Sequence, residues 1–158
     1  GIQLTPKLHY DQFDWNSPEG ARRSIYRVVW RGIADPFMEA LDFPDLGLLA
    51  PKRSFSVSSL QALTLFNNDF VLHHSELLAE RVANDCSSRR EEAQTSSGDG
   101  KMSLLTSTAT KVRMAVRLVY QREPTEEELV AFAAFSEKHG LAAMCRLLLN
   151  SNEFLFVD

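Results

Sequence analysis

An all-α fold, a compact bundle of six to seven helices with an extended N-terminal arm and one long flexible loop, is what this 158-residue sequence predicts. Three observations carry that expectation. Apolar residues recur at intervals of three and four over 57–84, 104–120 and 126–149. Helix starts and stops punctuate the chain: Ser17-Pro18-Glu19, Asp35-Pro36, Thr125 with Glu128, and Gly140. Strand-like alternation is confined to a weak pattern at Ile2, Leu4, Leu8, Tyr10, Phe13 and Trp15.

Taken in order, residues 1–16 read as an extended arm, an edge strand or a linker from an upstream domain, and 17–158 as a single helical domain. Ser17 can cap a helix, Pro18 suits its first position and Glu19 its positive end, so a helix is expected from there to about Trp30. Ile25, Val28 and Val29 would form its apolar side and Arg22, Arg23, Arg27 and Arg31 its basic one. Asp35-Pro36 opens a short turn of helix over 37–41, and Pro44, Gly47 and Pro51 mark a loop over 42–54.

Ser56 and Ser58 offer caps for the next segment, in which Val57, Leu60, Leu63, Phe66, Phe70, Leu77, Leu78 and Val82 keep helical spacing. Asn67-Asn68-Asp69 interrupts it, because Asn and Asp side chains compete for backbone hydrogen bonds, so two helices are expected over 57–66 and 69–84. The run CSSRREEAQTSSGDGK over 86–101 is polar and lacks apolar anchors, and reads as a mobile loop. Leu105, Ala109, Val112, Ala115, Val116 and Val119 then draw one stripe along a helix over 104–120. Glu123-Pro124 ends it, Thr125 and Glu128 form a capping box, and Gly140 stops the following helix. Residues 141–149 are apolar nearly all round and should pack deeply before Asn150-Ser151-Asn152 breaks the helix.

Composition narrows the function classes. The net charge of -4 lacks the basic field of a nucleic-acid binder. No apolar run approaches the roughly 20 residues of a membrane span. Gly1 opens the sequence with no charged-then-apolar leader after it, which is expected of a domain taken from a longer chain. Cys86 and Cys145 stand outside any C-x-x-C pair; they are either bridged to each other or two thiols. His73 and His74 are adjacent, so on a helix they point about 100° apart and do not converge on one metal ion; no metal site is expected. There is no G-x-S-x-G and no phosphate-binding glycine loop.

The most distinctive constellation is basic: Arg22, Arg23, Arg27, Arg31, Lys52 and Arg53. It reads either as an anion site or as structural pairing with Glu19, Asp35, Asp42 or Asp45. Asn67, Asn150 and Asn152 lie at helix junctions, where they cap helices or meet hydroxyl groups of a ligand.

RRSIY over 22–26, LDFPD over 41–45, SVSSLQALTLFNNDFV over 56–71, REPTEEEL over 122–129 and LLNSNEFLFVD over 148–158 occur in that order. Together they resemble the C-terminal planctomycete-specific domain of unknown function found in large cytochrome-associated secreted proteins. The positions that match its pattern are Arg22, Arg23, Tyr26, Asp42, Arg53, Gln61, Asn67, Asn150 and Glu153, with Asp158. The resemblance implies a periplasmic or secreted multidomain protein whose upstream part holds further domains and a c-type haem. No cofactor is implied for this stretch itself. The expected function is a non-catalytic helical interaction or structural module that packs on upstream domains of its own chain, in a redox or carbohydrate-related setting. The rival reading is an enzyme domain or glycan-binding module acting on extracellular polysaccharide. Arg22, Arg53, Asp42 and Glu153 would then share a cleft, or Tyr10, Phe13, Trp15 and Trp30 would form an aromatic row.

Overall fold

The computed structural model describes residues 9–26, 29, 33–44, 58–94 and 104–155. Seven α-helices and no strand are present among them, so the all-α expectation holds. The chain divides into two compact units, Gly1–Asn68 and Asp69–Asp158.

The first unit departs most from the expected elements. Residues 17–26 form a chain of tight turns ending in a 3-10 turn, Ser24–Tyr26, and not an α-helix. Ser17 does not cap: its hydroxyl donates to the Asp14 carbonyl at 2.7 Å. The Gly20 N–H bonds the Ser17 carbonyl at 2.9 Å. A β-carbon on Gly20 would fall 2.4 Å from the Trp15 carbonyl oxygen, so the turn closes there only because Gly20 has none. The remainder of that expected helix, Arg27, Val28 and 30, lies outside the described residues. The weak alternation of the arm does not make a strand over 10–15 either. Tyr10–Gln12 is a 3-10 turn between extended residues His9 and Phe13, and the Phe13 and Trp15 rings meet edge-on at 4.7 Å.

Two α-helices follow in this unit. Helix α1, Pro36–Ala40, begins at Asp35, whose side chain accepts from the Phe37 N–H. It ends with paired bonds from the Asp42 N–H to the Glu39 carbonyl and from the Phe43 N–H to the Met38 carbonyl. That is the closing pattern a helix makes when the residue after its cap turns left-handed, and Asp42 does so with φ 57°. Helix α2, Ser59–Asn67, starts at Ser58 through a reciprocal capping box with Gln61. It packs against α1. Its spacing predicted burial, yet Leu60 and Leu63 are 63% and 60% exposed.

The second unit is a ring of four helices. Helix α3, Asp69–Gln94, packs on α4, Leu104–Tyr120, and on α6, Leu141–Leu149. Helix α5, Glu126–His139, closes the ring against α4 and α6, and the short α7, Asn152–Leu155, lies on α4 and α6. The core is built from Ala79 and Val82 of α3, Val112, Ala115 and Val116 of α4, and Met144, Cys145 and Leu148 of α6. Helix α5 covers it with Leu129, Phe132, Ala133 and Phe135 without burying any residue fully. The stripe read along α4 is therefore the buried one at Val112, Ala115 and Val116.

Two expectations change here. Residues 86–94 are not loop but the last turns of α3. Arg, Glu and Ala are strong helix formers, and the Ser87 and Ser88 hydroxyls bond back to the carbonyls of Ala83 and Asn84 instead of breaking the helix. The rest of the expected loop, 95–101, lies outside the described residues. Helix α6 is not buried all round: Met144, Cys145 and Leu148 face the core and Leu147 faces outward.

Gly140 joins α5 to α6 alone, at φ 91°, so the two helices turn back on each other across a single residue. Among the described residues no helix is long and apolar enough to cross a membrane.

Leu148 has no exposed surface and touches the centre of the ring. Leu148→Ala is expected to lower the stability of the second unit by about 2–5 kcal/mol, read as a shifted urea midpoint with an unchanged slope. A loss below about 0.5 kcal/mol would place the core elsewhere.

Candidate functional site

Within each unit, some of the singled-out polar residues join helices. In the first unit Asp42 and Gln61 meet. Gln61 Oε1 accepts the Ser58 N–H at 3.3 Å as part of the capping box, while its Nε2 donates to Asp42 Oδ2 at 3.3 Å. One amide thus starts α2 and ties it to the left-handed residue that ends α1. Asn67 closes the other end of α2, its Nδ2 donating to the Leu63 carbonyl at 3.1 Å. Arg22 and Arg23 lie exposed ahead of the 3-10 turn, and Tyr26 is exposed at its end. Arg53 lies outside the described residues, as do Arg27, Arg31, Lys52 and Asp45 of the proposed pairings.

In the second unit Glu153 is drawn into a cluster whose centre the sequence reading passed over. Arg122 stands in the bend between α4 and α5. Its Nε and Nη2 donate to the two oxygens of Glu153 at 2.6 and 2.8 Å. Its Nη1 and Nη2 donate to the two oxygens of Glu128 at 2.8 and 2.7 Å. Nη1 also reaches the Glu123 carbonyl at 3.1 Å. A guanidinium has five N–H groups, and these five bonds use them all. The same guanidinium lies 5.3 Å from the centre of the Tyr120 ring. REPTEEEL places this arginine two residues before Pro124 and six before the capping-box acid, on the two sides of one short bend.

Glu128 is held by more than charge. Its Oε2 also accepts the Thr125 N–H at 2.8 Å, completing the capping box of α5. Bonding to Arg122, then to that backbone N–H, lowers its carboxyl from 4.5 to about 2. Arg122 holds the Glu153 carboxyl below its ordinary range as well. By contrast, Arg113 and Arg117 meet Glu123 at 3.8 and 3.1 Å with side chains more than half exposed, pairs of little energetic weight.

Asn150 is separate from this cluster. Its Nδ2 donates to the Arg146 carbonyl at 2.7 Å; its Oδ1 is buried with no hydrogen-bond partner among the described residues. His73 and His74 hold their rings 5.4 Å apart, and His74 sits edge-on to Phe70 at 4.3 Å. Burial, then the neighbouring His73, pulls His74 below its ordinary value. Among the described residues no three His, Cys, Asp or Glu side chains gather as metal ligands would. Cys86 and Cys145 are thiols and are not bridged. Burial pushes Cys145 up to about 12.

Two measurements follow from these environments. Glu128 is ionised more readily folded than unfolded, so its contribution to stability is complete above 4.5 and is lost as pH falls from there toward about 2. Urea midpoints taken across that acid range should decline, and Glu128→Gln should flatten the decline; an equally steep limb in the variant would assign the linkage to other acids. For Cys145, a thiol reagent at about pH 8 should label it only after denaturation, since the thiolate is the reactive form; labelling as fast as a free thiol in the folded chain would contradict its burial.

No curated protein matches the chain, and no solved structure matches it. A family match does exist, to PSD1, described as a protein of unknown function (DUF1553), over residues 3–136. It begins ahead of the described residues, takes in α1 to α4 with Arg122 and Glu128, and ends inside α5. With most of the 158 residues matched, the chain belongs to the PSD1 family of proteins of unknown function.

Proposed function

We propose that this chain is a non-catalytic helical module of a larger multidomain protein, which organises neighbouring domains and carries no reaction of its own. The observation that supports this most is how the candidate acids are employed. Glu153 accepts two hydrogen bonds from Arg122, and Asp42 accepts from Gln61. A general acid or base must reach a substrate proton at hydrogen-bonding distance. These carboxylates instead hold helix ends against one another. The pairing of Arg122 with two acids likewise leaves no N–H of that guanidinium for an anionic ligand in this arrangement.

Leu60 and Leu63 supply the complementary half of the reading. They are spaced one turn apart on α2 and largely exposed. Apolar side chains so placed are the ordinary means by which a helix meets a partner surface. The partner proposed is an upstream domain of the same chain. On the family resemblance, the setting is a planctomycete cytochrome-associated protein outside the cytoplasm, periplasmic or secreted, with redox or carbohydrate-related work done by its other parts. A c-type haem would be held by those parts, because neither Cys86-Ser87-Ser88 nor Cys145-Arg146-Leu147 supplies the C-x-x-C-H attachment.

The test is made in the full-length protein. Replacing both Leu60 and Leu63 by Lys should lower the melting temperature of the whole protein, or release this module to limited proteolysis, while the isolated chain keeps its helical content. The isolated wild-type chain should show no turnover of polysaccharide or redox substrates. Turnover that disappears in Glu153→Gln would overturn the reading.

A further inference from the structure

The two acids on Arg122 are not held alike. Glu128 has both oxygens on the guanidinium and a third bond from the Thr125 N–H, and it sits within the first turn of α5. Glu153 has both oxygens on the guanidinium and belongs to α7, a helix of four residues that buries none of them and leaves Phe154 42% exposed. Ser151 sits at the join: its hydroxyl donates to the Leu148 carbonyl at 2.8 Å and accepts the Phe154 N–H at 3.3 Å. Its carbonyl accepts the N–H groups of Phe154 and Leu155 at 3.2 and 3.1 Å. The bonds of α7 to α6 are thus local in sequence, and its charged tie to the α4–α5 bend runs through Glu153.

We infer that α7 is a latch, closed by the Arg122–Glu153 pair, that opens on its own while the α4–α5 bend stays closed on Glu128. Three physical points lead there. An element with little buried apolar surface opens at low free energy, independently of the core beneath it. The pair that closes it is partly exposed, with side chains at 36% and 45%, and salt screens such a pair. Two carboxylates share one positive charge, so Glu128 repels Glu153 and remains fully paired when Glu153 leaves. When α7 leaves, the Nε edge of Arg122 is turned to solvent and the Glu128 edge is not.

Amide hydrogen exchange on the folded chain tests this, with the N–H groups of Phe154 and Leu155 as reporters. Raising salt from about 0.05 M to about 1 M should speed their exchange in the wild type by about two- to fivefold, the range of a partly exposed ion pair. Glu153→Gln should produce a similar rise at low salt and respond little to added salt. Amides of α3 to α6 should keep their rates under both changes. The inference is overturned if the reporters ignore salt in the wild type. It is equally overturned if the amides of α4 and α5 accelerate by the same factor, since α7 would then open only with the whole unit. The salt arm needs no variant, so it stands whatever the folding yield of Glu153→Gln.

Discussion

The second unit depends on one guanidinium with no idle donor. Arg122 belongs to no helix, yet it meets Tyr120 at the end of α4, Glu128 at the start of α5 and Glu153 of α7. A lysine there would keep the charge but could not present parallel N–H pairs to two carboxylates at once. Charge-assisted bonds of this kind are shorter and stronger than neutral ones. Their larger role in this position is geometric. The bend at 121–125 contains Gln121 at φ 56°, an uncommon conformation for a side-chain-bearing residue. The bonds from Arg122 to Glu123 and Glu128 span that bend and restrain it.

Beneath the polar bend lies an ordinary packing problem, solved economically. Residues of four types, Val, Ala, Leu and Met, with one Cys, fill the centre of the four-helix ring. Small side chains, Ala79 of α3 and Ala115 of α4, share this core with the larger Met144 and Leu148 of α6. The cysteine belongs to this set as a small hydrophobe. Polar function and apolar support are therefore stacked: the ring fixes the helices, and Arg122 fixes how they are joined.

Legibility in the sequence followed the range of the interaction. Helix α4 was readable to the residue because its stripe is local and periodic. The capping box at Thr125 is readable because cap and acid lie three residues apart, whereas at Ser58 the sequence offers the cap but not its return bond from Gln61. Over 17–26 the expected helix gives way to tight turns, in which Gly20 passes so close to the Trp15 carbonyl that only a residue without a β-carbon fits, an approach that no helix-start rule contains. The polar end of α3 was misread because serine and charge resemble loop until their hydroxyls are seen bonding back one turn. At the candidate site, Asp42 and Gln61 are nineteen residues apart and Arg122 and Glu153 thirty-one. Asp42, Gln61 and Glu153 could be named individually, but neither Arg122 nor the pairings, because separation along the chain carries no information about proximity once the helices fold back.

Two glycines illustrate a difference with reach beyond this fold. At Gly140 an added β-carbon would meet nothing within 4 Å, and the objection to a side chain is torsional, set by φ 91°. At Gly20 the objection is an oxygen of the main chain, which cannot rotate aside as a side chain would. Among descendants of this sequence, the first position can drift if the local backbone relaxes toward an ordinary torsion. The second is locked to the course of the chain five residues earlier, so that any replacement must come with a rerouted turn at Trp15.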